Sequence, residues 1–142
     1  MINPKVSSSQ PRDPFSKCLD TLLLSEMNKA TEMTHKGQFN NAVEIFLNKL
    51  YQYSHSEDKK SLELSFIQMK IADYYFFMGK YKEALSYIEN SLAIIDEYAS
   101  HQYYNFFKAQ ILLIKGDIRL NQLLFTEAIE CLNMVVYLLQ NT

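Results

Sequence analysis

The stretch YYFFMGKYKEALSYIENSLAII, residues 74–95, contains the pattern that decides the fold of this chain. Five aromatic side chains surround Gly79, and a regular run follows in which apolar and small residues recur at three- and four-residue steps. Such spacing is typical of one face of an α-helix, and a glycine between two periodic runs is typical of a helix end. The stretch therefore predicts the end of one helix, a turn at Gly79 and the start of a second helix.

Composition favours a single helical unit. The chain has 142 residues, 48% of them apolar, and only three glycines and three prolines. A chain of this length can bury one core, and so few turn-forming residues argue against an all-β fold. The net charge is -2 without a long run of either sign, so we expect no nucleic acid and no anionic membrane among the partners.

Several features of the sequence predict a cytoplasmic protein. No apolar run approaches the ~18 residues of a membrane span, and the first residues lack the apolar core of a secretion signal. Cys18 and Cys131 both lie in apolar periodic segments, so we interpret them as small buried side chains in a reducing compartment.

The pattern along the chain predicts a tail followed by six helices. Residues 1–13 contain two prolines and three consecutive serines, and we expect them to form a disordered tail. Asp13 and Pro14 suit the cap and first position of a helix, which places a helical domain at 14–142. The breaks at Gly37, SHSED, Gly79 and ASHQ divide this domain into hairpins at about 14–53, 57–99 and 100–140, and Ser54 with Glu57 has capping-box spacing.

The three predicted hairpins are copies of one repeat. The segments GQFNNAVEIF, GKYKEALSYI and LLFTEAIECL align an aromatic residue with an alanine three positions later, at Phe39 and Ala42, Tyr81 and Ala84, and Phe125 and Ala128. The alanines lie 42 and then 44 residues apart. A hairpin of this size cannot bury its own apolar face, so the repeat predicts that the hairpins stack on one another.

The middle copy carries the most specific pattern. It has a small residue and an aromatic in its first helix, a turn glycine, an aromatic opening its second helix and a close-contact alanine, at Ala72, Tyr75, Gly79, Tyr81 and Ala84. This pattern resembles the tetratricopeptide repeat family, although the period exceeds the usual 34 residues by about two helical turns. Tyr75 and Tyr81 are then expected to pack around Ala84.

The flanking copies match the same pattern in part. The first copy keeps Ala30, Gly37, Phe39 and Ala42, and has Lys49 where the family prefers a small residue. The third copy keeps Gly116, Phe125 and Ala128, and carries Leu123 in place of the turn glycine.

The resemblance implies an all-α fold, an α-solenoid of three antiparallel helical hairpins wound as a right-handed superhelix. In this family, ligands lie in a concave groove lined by the first helix of each hairpin. Carried over by register, the expected groove residues are Met27, Asn28, Thr31, Met69, Lys70, Asp73, Phe76, Phe77, Leu113, Ile114, Asp117 and Asn121. For Phe76 and Phe77 the register leaves two places open, the groove and the end of the hairpin. Chaperone-binding members hold a C-terminal carboxylate with Lys, Arg and Asn. Two aspartates and one lysine occur here instead, so we expect a protein or peptide partner with basic and apolar residues.

The sequence offers no motif for catalysis. His35, His55 and His101 lack metal-ligand spacing to one another or to a cysteine, and no phosphate-binding loop, nucleophile elbow or Cys-x-x-Cys motif occurs. We therefore expect no enzyme, no catalytic residue, no bound metal and no cofactor.

The last helix predicts a second contact surface. In CLNMVVYLL, residues 131–139, only Asn133 is clearly polar, so one buried stripe cannot hide the helix. The residues expected to need a cover are Met134, Val135, Val136, Leu138 and Leu139. A second copy, a different subunit or further repeats could supply it. Alternatively, the helix lies obliquely across its own hairpin and hides more surface than the pattern indicates.

These observations predict an interaction protein, an adaptor or scaffold that binds a partner segment in the groove, through the C-terminal helix, or both. We expect it to be a homo-oligomer or a subunit of a complex. Two alternatives remain open at this stage. One is a regulatory domain that senses a small peptide, and the other is a purely structural subunit of a large assembly.

Overall fold

A computed structural model describes residues 19, 21–56 and 61–141 of the chain. Within these ranges the chain forms six α-helices and no β-strand, which confirms the all-α prediction. The helices are α1 (Thr21–His35), α2 (Phe39–Ser54), α3 (Ser61–Phe77), α4 (Tyr81–Ile95), α5 (Tyr104–Asn121) and α6 (Phe125–Gln140). One turn of 3₁₀ helix, Asp96–Tyr98, follows α4. The predicted tail at 1–13, the Asp13 cap, Cys18 and Glu57 lie outside the described residues.

Each helix packs mainly on its neighbours in sequence. The most extensive contacts join α3 to α4 and α5 to α6. Helix α1 contacts α2 within the first pair, and α2–α3 and α4–α5 contacts connect the pairs. The first helices of the second and third pairs, α3 and α5, also touch. The side chains with the least exposure come from every helix except α6: Leu23, Phe46, Ile67, Ile71, Ile88, Ile95, Ile111 and Ile118.

The turns within the three helix pairs share one backbone geometry. Gly37 and Gly79 both have φ of 75°, and Leu123 takes the same left-handed region with φ of 63°. In each turn the next N–H donates to a carbonyl five residues earlier, at 2.8 Å for Gln38 to Met33, 2.9 Å for Lys80 to Tyr75 and 2.9 Å for Leu124 to Arg119. This is the Schellman arrangement that ends many helices. The same turn therefore recurs at the spacing of the aligned sequence segments.

Small residues lie where the two helices of a pair approach closely. Ala84 and its equivalents Ala42 and Ala128 are buried three residues into the second helix of each pair. In the third pair, a Cβ added to Gly116 would lie 3.4 Å from the Cβ of Cys131. Because packed helices leave little free space, these positions accept only small side chains.

Two buried serines link α3 to α4. The Ser91 hydroxyl donates to the Ser65 carbonyl at 2.7 Å, and the Ser65 hydroxyl donates to the Ser91 carbonyl at 3.0 Å. The equivalent of Ser91 in the first pair is Lys49, which is half-buried and whose Nζ donates to Oε1 of Gln52 at 3.4 Å. Lys49 thus keeps its ammonium at the edge of α2, where the long stem can pack while the charge stays hydrated.

Tyr75 and Tyr81 lie at the ends of the helices that meet at Gly79. The ring of Tyr75 stacks on Tyr87 with 5.7 Å between centroids, and Tyr81 lies 5.8 Å from the ring of Phe76. Both tyrosines are half-buried and pack against the core. Their contacts are aromatic packing between α3 and α4, which agrees with a structural role.

A candidate binding cleft and an exposed helix face

A cleft of about 320 Å³ lies across the first helix of each pair. Its walls are apolar with three charged groups among them. The lining residues are Met27 of α1, Phe66, Met69, Lys70 and Asp73 of α3, and Gln110, Leu113, Ile114 and Asp117 of α5.

The lining residues occupy equivalent positions of the repeat. Met27, Met69 and Leu113 lie 42 and then 44 residues apart, the same steps as the aligned alanines. The remaining equivalent pairs are Phe66 and Gln110, Lys70 and Ile114, and Asp73 and Asp117. The cleft is thus one stripe of α1, α3 and α5, formed because the same face of three similar helices lies side by side.

Two carboxylates and one ammonium set the charge of the cleft. Burial raises the pKa of the Asp73 carboxyl, nearby Lys70 partly opposes that rise, and Asp117 adds to it. Partial burial also raises the pKa of Asp117. Lys70 has its pKa lowered by burial, and its Nζ lies 5.2 Å from the ring centroid of Tyr74. The excess of negative charge favours a cationic group in the cleft.

Three predicted groove residues lie outside this lining. Asn28 is exposed on α1. The Thr31 hydroxyl donates to the Met27 carbonyl at 2.9 Å, and the Asn121 amide donates to the Asp117 carbonyl at 2.9 Å. Thr31 and Asn121 therefore bond to the backbone of their own helices one turn away.

The predicted groove residues Phe76 and Phe77 also lie outside the lining, at the end of α3. The Phe77 ring stacks on Phe39 of α2 at 5.7 Å and is 60% exposed. Phe76 is half-buried and packs edge-on against Phe77 at 5.4 Å. These rings form an aromatic cluster between the ends of two helix pairs, outside the lining of the cleft.

Phe66 and Gln110 line the cleft although the sequence analysis did not select them. Each lies three residues before a selected residue, Met69 and Leu113 respectively. Residues three apart on a helix lie on the same face, so extending the register by one turn would have found both.

A second cleft of about 350 Å³ lies among α4, α5 and α6. Three cations of α5 line it, and each faces a carboxylate: Lys108 to Asp96 at 2.8 Å, Lys115 to Glu89 at 2.9 Å, and Arg119 to Glu127 at 3.1 Å. These ion pairs compensate the cations within the protein. Glu130 also lines this second cleft and adds one carboxylate to the three ion pairs.

The structure divides the predicted contact surface of α6 into two parts. Met134, Val136 and Leu139 are exposed, and Val135 is half-buried. Leu138 is only 6% exposed, and it belongs to a cluster with Ala109 and Leu112 of α5. The prediction that Leu138 needs an external cover is wrong, because α5 already covers it.

Ile129 and Leu132 are among the exposed apolar residues of α6 that were not selected from the sequence. They lie seven and four residues before Val136, on the same face of the helix.

Comparison with known proteins returned no match to a protein family, to a curated protein or to a solved structure. Among the described helices, none has the length and apolar character needed to cross a membrane. The described residues also include no group of three or more His, Cys, Asp or Glu side chains that could hold a metal ion.

Proposed function

We propose that this chain is a non-enzymatic protein-interaction module whose cleft binds a partner segment with basic and apolar residues. In this proposal, three tetratricopeptide-like hairpins stack as a right-handed solenoid, and the protein acts as an adaptor or scaffold in the cytoplasm. The observation that carries the proposal is the cleft itself, which three helices line with equivalent residues.

Three features support the stacked arrangement. The turn with a left-handed residue recurs at Gly37, Gly79 and Leu123. Each helix packs mainly on its sequence neighbours, as expected when repeats contact only adjacent repeats. The first helices α3 and α5 touch, so their equivalent faces can form one continuous surface.

The chemistry of the cleft supports the choice of partner. Asp73 and Asp117 present carboxylates from adjacent helices, with Lys70 as the single ammonium of the lining. Met27, Met69 and Leu113 supply apolar lining, and methionine adapts its shape to different side chains. A segment with a Lys or Arg between apolar residues would match both features.

A selection from a library of displayed random peptides tests this proposal. We expect enriched sequences to combine basic and apolar residues. The best peptide should bind the Asp73→Lys and Asp117→Lys double variant at least about tenfold more weakly, because two attractive charges become repulsive. Fluorescence anisotropy of the labelled peptide measures both affinities, and circular dichroism checks that the variant is folded.

Glu44→Lys with Glu97→Lys is the matched control. Both residues are exposed and lie outside the cleft, and this double variant changes the net charge by the same amount. It should bind the peptide as the unmodified protein does. Equal affinity of the cleft variant and the unmodified protein, or a selection without preference for basic residues, would show that the cleft is not the binding surface.

A further inference from the structure

An exposed apolar stripe runs along the whole of α6. The stripe consists of Phe125, Ile129, Leu132, Val136 and Leu139, which are separated by four, three, four and three residues. These side chains are between 40% and 56% exposed. Alternation of three and four is the spacing with which two helices pack along a common seam.

The equivalent faces of α2 and α4 are covered by other helices of the chain. The equivalents of the last four stripe residues are Val43, Phe46, Leu50 and Tyr53 in α2, and Leu85, Ile88, Leu92 and Ile95 in α4. All eight are buried or half-buried. The α6 stripe is therefore the helix-packing face of the repeat, left open in the third pair.

Specific contacts show how this face is covered in the first two pairs. The ring of Phe46 in α2 lies 6.4 Å from Phe66 and 5.8 Å from Tyr74 of α3. Leu92 of α4 packs against the cluster that contains Ala109 and Leu112 of α5. In both cases the first helix of the next pair supplies the cover.

The first helix of a second copy does not suit this role. In α1 the equivalents of Phe66 and Tyr74 are Leu24 and Glu32, and Glu32 is exposed. Packing α1 on the stripe of another copy would bury a carboxylate against apolar side chains, which is unfavourable. Head-to-tail stacking of copies is thus disfavoured.

A two-fold contact of the stripe with itself meets no such penalty. The residues that flank the stripe on its solvent side are Thr126, Asn133 and Gln140, all uncharged. Glu127 and Glu130 lie on the opposite side of α6, because each residue turns the helix by about 100°. Two stripes can therefore meet without bringing like charges together.

We infer that the α6 stripe is an interface between two copies of this chain, which pair across a two-fold axis with their α6 helices in contact. Each copy then buries on its partner the face that α2 and α4 bury within the chain. This inference does not depend on ligand binding in the cleft, because α6 contributes no residue to it.

Sedimentation of the unmodified chain over a range of about 1 to 100 µM tests the inference, because dimer stability depends on protomer concentration. We expect a species of twice 16.6 kDa. Val136→Lys with Leu139→Lys should raise the dimer dissociation constant about 100-fold or more, since charges would replace apolar contacts at the seam.

Met134→Lys with Tyr137→Lys is the matched control, because both residues are exposed and apolar but lie off the stripe on the same helix. This variant should remain dimeric, and circular dichroism should show native helix content for both variants. A monomeric unmodified chain at about 100 µM would overturn the inference. Persistence of the dimer in the stripe variant, or equal dissociation of both variants, would overturn it as well.

Discussion

Leu123 occupies a backbone conformation that Gly37 and Gly79 adopt in the other two turns. For a residue with a side chain, this left-handed region costs about 1–2 kcal/mol. The Leu123 side chain is 71% exposed, so its packing offsets little of this backbone strain. The chain accepts the strain because the Schellman bond from Leu124 to Arg119 and the packing of α5 on α6 fix the turn.

Replacement of Leu123 by glycine should therefore stabilise the protein. The free energy regained by removing the strained φ is larger than the entropic cost of the more flexible unfolded chain. We therefore expect the free energy of unfolding to rise by about 0.5–1 kcal/mol. Urea denaturation followed by circular dichroism measures the change.

Gly79→Ala provides the reverse substitution. A Cβ at Gly79 would meet no atom within 4 Å, so its effect reports backbone strain without a steric clash. We expect a loss of about 1 kcal/mol. If Leu123→Gly destabilised the chain as much as Gly79→Ala does, the positive φ of Leu123 would not be a source of strain.

At the scale of the helices, packing matters more than capping. The N-cap residues of α2, α4 and α6 are Gln38, Lys80 and Leu124, and none of them forms a side-chain cap hydrogen bond. Isolated helices of about 15 residues are marginal in water. These helices therefore depend on burying one face, and their close contacts require small residues.

Ala84 tests this dependence. It is fully buried near the start of α4, and Ala84→Leu should lower the free energy of unfolding by about 2–3 kcal/mol because the larger side chain must push helices apart. Ala93→Leu places the same substitution on the exposed side of α4 and should change stability by less than about 0.5 kcal/mol. Urea denaturation of both variants makes the comparison, and equal effects would show that α4 does not approach its neighbours closely at Ala84.

At the scale of the whole molecule, the contact between α3 and α5 brings together charges that are distant in sequence. Asp73 and Asp117 belong to different helix pairs, yet Asp117 helps to raise the pKa of Asp73, after burial as the main cause. A carboxyl whose pKa is higher in the folded state binds protons more tightly there. Its contribution to stability is therefore favourable at low pH and is lost as the pH rises from about 3.9 through the raised pKa.

Asp73→Asn should accordingly raise the free energy of unfolding at pH 7 by roughly 0.5 kcal/mol, and the gain should vanish below about pH 4. Asp96→Asn is an opposite control. Burial tends to raise the pKa of Asp96, but hydrogen bonds from Lys108 and Tyr104 outweigh burial and lower it. Removing this charge should destabilise the protein at pH 7. Thermal denaturation at pH 7 and below about pH 4 measures the effects of both substitutions. A loss of stability in Asp73→Asn at pH 7 would contradict the raised pKa of Asp73.

Most of the fold was predictable from the sequence because its determinants are local. Apolar periodicity, the glycines at 37 and 79 and the aligned alanines located the helices and turns to within a few residues. The register of the repeat also selected most of the cleft, because Met69 and Asp73 fall on one helical face together with their equivalents Leu113 and Asp117. Phe76 and Phe77 take the second of the two places that the register allowed them, the end of their hairpin, where Phe77 stacks on Phe39 of α2 and Phe76 lies against Tyr81 of α4.

The sequence by itself determined an all-helical chain with three similar turns, because helix periodicity and left-handed turn residues act over a few residues. Only the tertiary structure decided which neighbouring apolar residues are covered. Leu138 is buried under α5 while Leu139 is exposed, and one residue along a helix is a rotation of about 100°. A sequence that is apolar nearly all round α6 carries no signal for this rotation, so the crossing of α5 and α6 sets which face remains open.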